Sequence, residues 1–425
     1  MASGMTRRGM LAGLTASAAA PALGQGIVAR YQPDGRLAFP NYDRPPVDFR
    51  RLIGAPVKIA AVELWTVAGG TPLVRVRSTD GAEGVVRAST KVEHTGEFFR
   101  TFAVRRFVGQ DARDIADVIR RAAREDYEYA GLPFWATLGQ VEVAIWDLLG
   151  KVANRNCAEL IGPVLRREIP IYMSSNKRDT RPEAEVAHLA ERVAATGARA
   201  VKVKIGRRMG YNTDMTPGRS EAVVRLARRT LGNAMTIYAD ANGAYDTVKA
   251  LEVAAMLEDH GVAMLEEPCP FEDFEMTRQI TEAVRARGLK LKIAGGEQDY
   301  ALEKWRWYAR TRGFDVIQPD PMYAGGIFRN LEIMRLGREA GLGYNPHFPR
   351  NGAEAAPMLA LAAVAPNLYG FQEYRSREDA IAYAHSPVLG PRNGNVQLPT
   401  GPGWGVSYDP AIWRTATRVA GTERG

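Results

Sequence analysis

Six short polar interruptions, each closing an apolar run, constrain this chain more than any other feature. They are Lys202-Val203-Lys204, Asp240-Ala241-Asn242, Glu266-Glu267-Pro268, Gly296-Glu297, Pro319-Asp320 and Pro346-His347, and Glu373 extends the series. The key positions 204, 240, 266, 297, 320, 347 and 373 recur every 23 to 36 residues. That spacing matches the chain needed for a strand, a helix and two loops. An enzyme on a β/α barrel collects its reactive side chains from the C-terminal ends of many strands, one per repeat. The pattern predicts strands near 168–173, 200–205, 235–240, 262–266, 291–295, 314–318, 342–345 and 369–372, with helices such as 219–230 and 247–260 between them. A doubly wound open sheet is the alternative, but no Gly-rich dinucleotide turn follows the first strand.

Upstream, the periodicity differs. Val57-Lys58-Ile59, Leu73-Val74-Arg75-Val76-Arg77 and Gly84-Val85-Val86-Arg87 read as strands, and Thr79-Asp80-Gly81 as the turn of a hairpin. In 140–153 the residues Val141, Ala144, Ile145, Leu148, Leu149 and Val152 fall on one helical face. Strands followed by helices give a first domain of α+β type over 31–165, ahead of a barrel over 166–378. The final 379–425, with Gly401-Pro402-Gly403-Trp404-Gly405, is irregular and is expected to pack back on the first domain. Residues 1–26 carry Thr6-Arg7-Arg8-Gly9-Met10-Leu11 and then an Ala-rich stretch. They read as a twin-arginine signal peptide, which would place the mature protein in the periplasm or outside the cell; a chain not exported would stay cytoplasmic.

The 425 residues carry a net charge of +8, but the basic residues are scattered, with no block of five or six. That distribution argues against nucleic-acid binding and favours small anionic substrates. No run of about 18 strongly apolar residues is present, so no membrane span is expected. Cys157 and Cys269 are the two cysteines and define no disulfide framework.

Asp240, Glu266 and Glu297 each fall at a predicted strand end. Three carboxylates gathered in a barrel mouth repel one another unless a hard cation such as Mg²⁺ neutralises them. Lys202 and Lys204, two apart on a strand, point to one face, the interior of a barrel whose outer side is covered by helices. Two ammonium groups there are expected to lower each other's pKa and leave a lysine able to act as base. His347 beside Asp320 would have its tautomer fixed and its basicity raised. Glu373, if protonated, could donate a hydrogen bond to a developing oxyanion. His94, in a loop of the first domain, is a weaker candidate for reaching the same site. Together these groups suit removal of a proton α to a substrate carboxylate, with Lys204 and His347 as bases on opposite faces. If His347 then expels a β-hydroxyl as water the reaction is dehydration; if the proton returns on the other face it is racemisation or epimerisation.

With these motifs and the helix near Ala144-Ile145-Trp146-Asp147-Leu148-Leu149-Gly150-Lys151, the sequence resembles the enolase superfamily, and within it the mandelate racemase-like group. The resemblance spans nearly the whole mature chain. It implies an α+β capping domain, a modified (β/α)7β barrel, Mg²⁺ dependence and homo-oligomers. By matching position it implies Asp240, Glu266 and Glu297 as metal ligands and Lys204 as one base. His347 with Asp320 would be the other base, Lys202 the lysine of the paired motif and Glu373 an electrophile; the second glutamate, Glu267, would not be the ligand of its pair. Muconate-cycloisomerase-like and dipeptide-epimerase-like members carry a lysine where this chain has Asp320. Glucarate-dehydratase-like members carry an asparagine where it has Glu297, and galactonate-dehydratase-like ones a histidine where it has Asn242. The resemblance favours dehydration of an acid sugar to a 2-keto-3-deoxy acid. A racemase or epimerase of a 2-hydroxy acid is the alternative, and a non-catalytic secreted carboxylate-binding protein the second. Selectivity is expected from strand-end loops: Ser174-Ser175-Asn176-Lys177, Asn242, Tyr323 and Phe348-Pro349-Arg350, where Arg350 would fork onto a distal carboxylate or hydroxyls.

Overall fold

The computed structural model describes residues 45, 47–89, 94, 96–175, 177–375 and 385–422. Residues 1–26, read above as a signal peptide, and Asn176 lie outside that set. Val, Ile and Leu recur through the first three strands and are mostly buried, as a sheet packed on a core requires. β1 (Ile59–Val67), β2 (Thr71–Ser78) and β3 (Glu83–Arg87) form an antiparallel meander. The chain then makes α1 (Ile115–Glu125) and α2 (Leu132–Val152).

After α2 and a short helix over Cys157–Ile161, strand and helix alternate from Glu168 to Glu373. β4 (Glu168–Ser174), α3 (Pro182–Thr196), β5 (Ala200–Lys204), α4 (Arg219–Leu231), β6 (Thr236–Asp240) and α5 (Thr247–Asp259) come first. They are followed by β7 (Met264–Glu266), α6 (Phe274–Ala286), β8 (Lys292–Gly295), α7 (Leu302–Thr311), β9 (Val316–Ile317), α8 (Ile327–Glu339), β10 (Gly343–Tyr344), α9 (Ala356–Val364) and β11 (Gln372–Glu373). The eight strands pair in parallel in chain order, β11 returns to pair with β4, and a bridge from Tyr344 to Leu368 closes the ring. This closure makes a (β/α)7β barrel and rules out the open doubly wound sheet.

Two further pairings bring the chain end back. In the last segment β12 (His385–Ser386) and β14 (Ser407–Tyr408) make a small ribbon, and β13 (Asn395–Gln397) adds to the outer part of β4. β15 (Thr417–Gly421) pairs antiparallel with β1, giving the sheet order β15-β1-β2-β3.

α2 joins the two parts. Its sequence shows a single apolar stripe, extended N-terminally by Phe134 and Leu138, yet Val143 and Trp146 on the opposite side are buried as well. A helix apolar on all sides belongs between layers. One side of α2 packs on β2 and β3 of the cap sheet, the other on the loop after β9 and on α8. Gly326, at φ +101°, leaves no room for a Cβ against the Glu142 carboxyl of α2. Each large apolar side chain fully buried here contributes roughly 1.5–3 kcal/mol relative to exposure.

Inside the barrel, Tyr172, Ala200, Tyr238, Met264, Ala294 and Val316 form a separate apolar plug, sealed below by Tyr369 and Phe371. The polar ends of the strands rise above it. Among the described residues no helix is long and apolar enough to cross a membrane, and both cysteines are free and buried.

Candidate active site at the barrel mouth

Val201, Val203 and Ile205 turn outward beneath the helices, which sends Lys202 and Lys204 inward. The parallel register sets Lys204 beside Asp240 and Asp240 beside Glu266, so one layer of the mouth carries all three. Glu297 follows β8, Asp320 follows β9, His347 follows β10 and Glu373 ends β11. Every candidate thus comes from the C-terminal end of a strand.

Each acid is matched to a cation. The Lys202 ammonium donates to both Glu266 oxygens at 3.0 and 2.8 Å and lies 3.6 Å from both Asp240 Oδ2 and Glu373 Oε1. It also lies 5.2 Å above the ring of Tyr172. Lys204 Nζ pairs closely with Asp240 Oδ2 and donates to Asn242 Oδ1 at 3.3 Å. On the other side of the mouth His347 Nδ1 lies 2.9 Å from Asp320 Oδ2, and Nε2 lies 3.0 Å from Glu297 Oε2 and 3.9 Å from Glu373 Oε2. Asp320 is held in turn by the backbone N–H of Met322 at 2.7 Å. Gln318 Nε2 donates to Glu266 Oε2 at 3.0 Å.

The electrostatics correct two expectations. Burial works against the Lys202 charge, but Glu266, Glu373 and Asp240 overcome it and hold this lysine well above its ordinary pKa. The lysine pair therefore does not titrate by mutual repulsion at Lys202, because the carboxylates of neighbouring strands outweigh the second ammonium. Glu373 is likewise not a neutral donor. Burial alone would raise it, yet Lys202, His347 and Lys204 bring it below the usual carboxylate range.

The remaining groups follow the same balance. At Asp240 burial is again opposed, and Lys204, Lys202 and Arg178 win, so it is strongly acidic. At Glu266 burial wins over Lys202 and its pKa rises. Burial likewise works against a charge on His347, but Glu297 and Asp320 raise it to about 9, which leaves an imidazolium at neutral pH.

The loops place the remaining candidates as follows. Lys177 is exposed, and its neighbour Arg178 turns inward instead. Ser175 is buried, and its hydroxyl accepts the Lys204 backbone N–H at 3.1 Å, so it braces β5 rather than facing a substrate. Arg350 Nη1 donates to the adjacent Pro349 carbonyl at 3.1 Å, and its guanidinium lies 5.4 Å from the Phe348 ring centroid, beside Arg87, Glu354 and Arg375. Tyr323 receives the Ser89 hydroxyl of the cap at 3.1 Å. His94 is exposed.

Arg178 is the residue that sequence reasoning missed. Asn242 and Glu267, at φ 42° and 43°, both adopt the left-handed conformation that side chains disfavour. Backbone bonds from Gly243 to Glu267 and from Met209 to Asn242 carry the strand pairing past the barrel rim. Only an Asn two residues after an acidic strand end marked this region in the sequence.

Asp240, Glu266 and Glu297 suit a hard divalent cation by chemistry, as an all-oxygen set on three consecutive strands. Among the described residues no three such side chains converge closely enough to hold an ion as they stand; each is turned to a lysine or to His347. The fit lies in the backbone positions and in a buried Glu267 Oε1 without a hydrogen-bond partner beside them.

Comparison with known proteins agrees with this geometry. Residues 51–162 match the model of the mandelate racemase / muconate lactonizing enzyme N-terminal domain, and 185–412 that of the enolase C-terminal domain-like family. The chain is 26% identical to the D-gluconate dehydratase of Thermoproteus tenax over 348 residues, 80% of this chain and 68% of that one. It is 27% identical to the arabinonate dehydratase of Saccharolobus solfataricus over 283 residues, 65% of this chain and 71% of that one. A solved mandelate racemase/muconate lactonizing protein from Paracoccus denitrificans, complexed with magnesium, superposes with a TM-score of 0.79 at 25% identity, covering 86% of this chain and 99% of that one. A capped barrel with these strand-end residues and these relatives belongs to the enolase superfamily, in its mandelate racemase / muconate lactonizing enzyme family.

Proposed function

We propose that this enzyme removes the proton α to the carboxylate of an acid sugar in a Mg²⁺-dependent reaction and expels the β-hydroxyl, giving a 2-keto-3-deoxy acid. The observation that carries this reading is the placement of Lys204 and the His347–Asp320 pair across the mouth from each other, with acidic strand ends between them. Dehydratases of gluconate and arabinonate among the relatives support dehydration over simple proton return.

Asp240, Glu266 and Glu297 would hold the cation. When bound, it supplies positive charge to the substrate carboxylate as the α-carbon loses its proton. Lys204, relieved of pairing with Asp240 and having released its own proton to solvent, takes the α-proton as the free amine on its face. Asp320 orients His347 through Nδ1, so that Nε2–H is presented to the mouth and can protonate the leaving hydroxyl. Lys202 stays charged among Glu266 and Glu373 and adds to the field that favours an anionic substrate.

The test is a panel of aldonic, aldaric and uronic acids incubated with Mg²⁺ in heavy water. Formation of a 2-keto product with one of them supports the reading. An isomer of the starting acid, with deuterium at C2, would instead assign racemisation or epimerisation. Binding without exchange by any acid would return the carboxylate-binding alternative. Export belongs to the same proposal. Mass measurement of the periplasmic protein should find residues 1–26 removed or shortened, and an intact Met1 there would refute cleavage.

A further inference from the structure

We propose that Arg178 is a positioning residue for Lys204: it fixes the orientation of the Asn242 amide and thereby seats the Lys204 ammonium. Arg178 follows β4, is 9% exposed and reaches over the ends of the two strands that carry Lys204 and Asp240. Its Nε donates to the Ile205 carbonyl at 3.2 Å, and Nη2 donates to the Asp240 carbonyl at 3.2 Å and to Asn242 Oδ1 at 2.5 Å. Its guanidinium also lies 3.8 Å from Asp240 Oδ1. The two backbone contacts add a rung above the bond from the Ile205 N–H to the Asp240 carbonyl, 2.9 Å long.

An amide side chain has one accepting and one donating end, and here the surroundings distinguish them. Asn242 Oδ1 meets Arg178 and Lys204, both cations, at 2.5 and 3.3 Å. Nδ2 donates to Glu267 Oε2 at 2.9 Å. A flipped amide would set its N–H groups against two cations and its oxygen against a carboxyl oxygen. Arg178 makes the shorter of the two contacts to Oδ1 and is itself pinned to two carbonyls, so it is the fixed member. Lys204, on a flexible stem, takes the seat left beside it. Lysine could not replace Arg178, because one point donor cannot span carbonyls on two strands and an amide together.

The assignment rests on the proposed function, with Lys204 as base on one face and His347 as acid–base group on the other, and it predicts a one-sided defect. Faces are first assigned with a pair of C2-epimeric aldonic acids in heavy water, one losing exchange in Lys204→Ala and the other in His347→Ala. Arg178→Ala should slow exchange on the Lys204 face about 10- to 100-fold, the scale on which misplacing a reacting group by ~1 Å acts. Exchange on the His347 face should stay within about threefold, as expected for a distant site. Arg178→Lys, which keeps charge and stem, should show the same one-sided defect, and it serves if the alanine variant does not fold. Equal losses on both faces, or no loss on the Lys204 face, would overturn the assignment. If the parent exchanges neither epimer, it is the proposed function that fails. A crystal structure of Arg178→Lys then decides this point alone: an Asn242 amide still aimed at Lys204 and Glu267 as in the parent would refute it, and a turned amide with Lys204 displaced would support it.

Discussion

Two sets of buried acids stand within this one molecule, and their partners differ in kind. On α2, Asp147 is fully buried and accepts backbone N–H bonds from Val85 of β3 and Trp404 of the last segment, each 2.9 Å, plus the Lys151 ammonium at 2.6 Å. Glu142 accepts the Phe328 N–H at the start of α8, also at 2.9 Å. At the barrel mouth Asp240, Glu266 and Glu297 are held largely by lysine and histidine side chains. A carboxylate tied to backbone donors cannot change partners without unfolding something. One tied to a side chain can exchange it for a metal ion or a substrate. Burial alone therefore does not mark a functional acid; the mobility of its partner does.

Experiments can break this contrast. The largest effect is expected in Lys204→Ala and His347→Ala, each losing roughly 10²–10⁴-fold in turnover while circular dichroism and melting temperature stay near the parent values. Retention of full turnover by both would remove them as the acid–base groups. Asp147→Ala should do the reverse. It strands two buried N–H groups and costs on the order of 3 kcal/mol in urea unfolding, with turnover per folded molecule unchanged; a stable variant with poor turnover would blur the two classes.

Glu297→Gln should weaken Mg²⁺ binding by about 10²-fold in calorimetry, taking a loss of ligand charge as comparable to the upper range for disturbed metal sites. The fold should survive, and chelation should stop exchange in the parent until Mg²⁺ is restored. The last test concerns pH. Burial raises the Glu142 carboxyl from an ordinary 4.5 to about 8, against its backbone donor. The folded state then binds a proton that the unfolded state has lost, so stability should fall as pH rises between these values, by up to about 1.4 kcal/mol per unit. Glu142→Gln should flatten that slope, and an unchanged slope would show that this carboxyl is ionised in the fold.

The barrel was legible because its strands are covered on both sides: short apolar runs closed by one charged residue appear again and again, and the eight strands fall where the runs do. The meeting of Lys204, Asp240, Glu266, His347 and Asp320 at one end of the barrel was legible for the same reason, since strand ends converge. Its charge states were not. The sequence sets Lys202 and Lys204 side by side, and no local pattern shows that Glu266 and Glu373 come closer to Lys202 than the repulsion matters. Arg178 was illegible because its meaning lies in carbonyls of two other strands, and Lys177 next to it carries the same charge on an exposed face. α2 showed only a stripe, because the second layer that covers it lies after β9.

The pairing of β15 with β1 bears on how the molecule is made. β1 is paired on both sides along Glu63–Thr66 only once Thr417–Gly421 has been added. Until then the Glu63–Thr66 stretch of β1 offers unpaired N–H and C=O groups to any passing strand, while Ile59 at its start is already bonded to Gly109 and Gln110. The cap would therefore be the last part to lock, after the barrel it covers, and loss of Thr417–Gly421 would leave a sticky edge on a molecule whose barrel-mouth side chains are all in place.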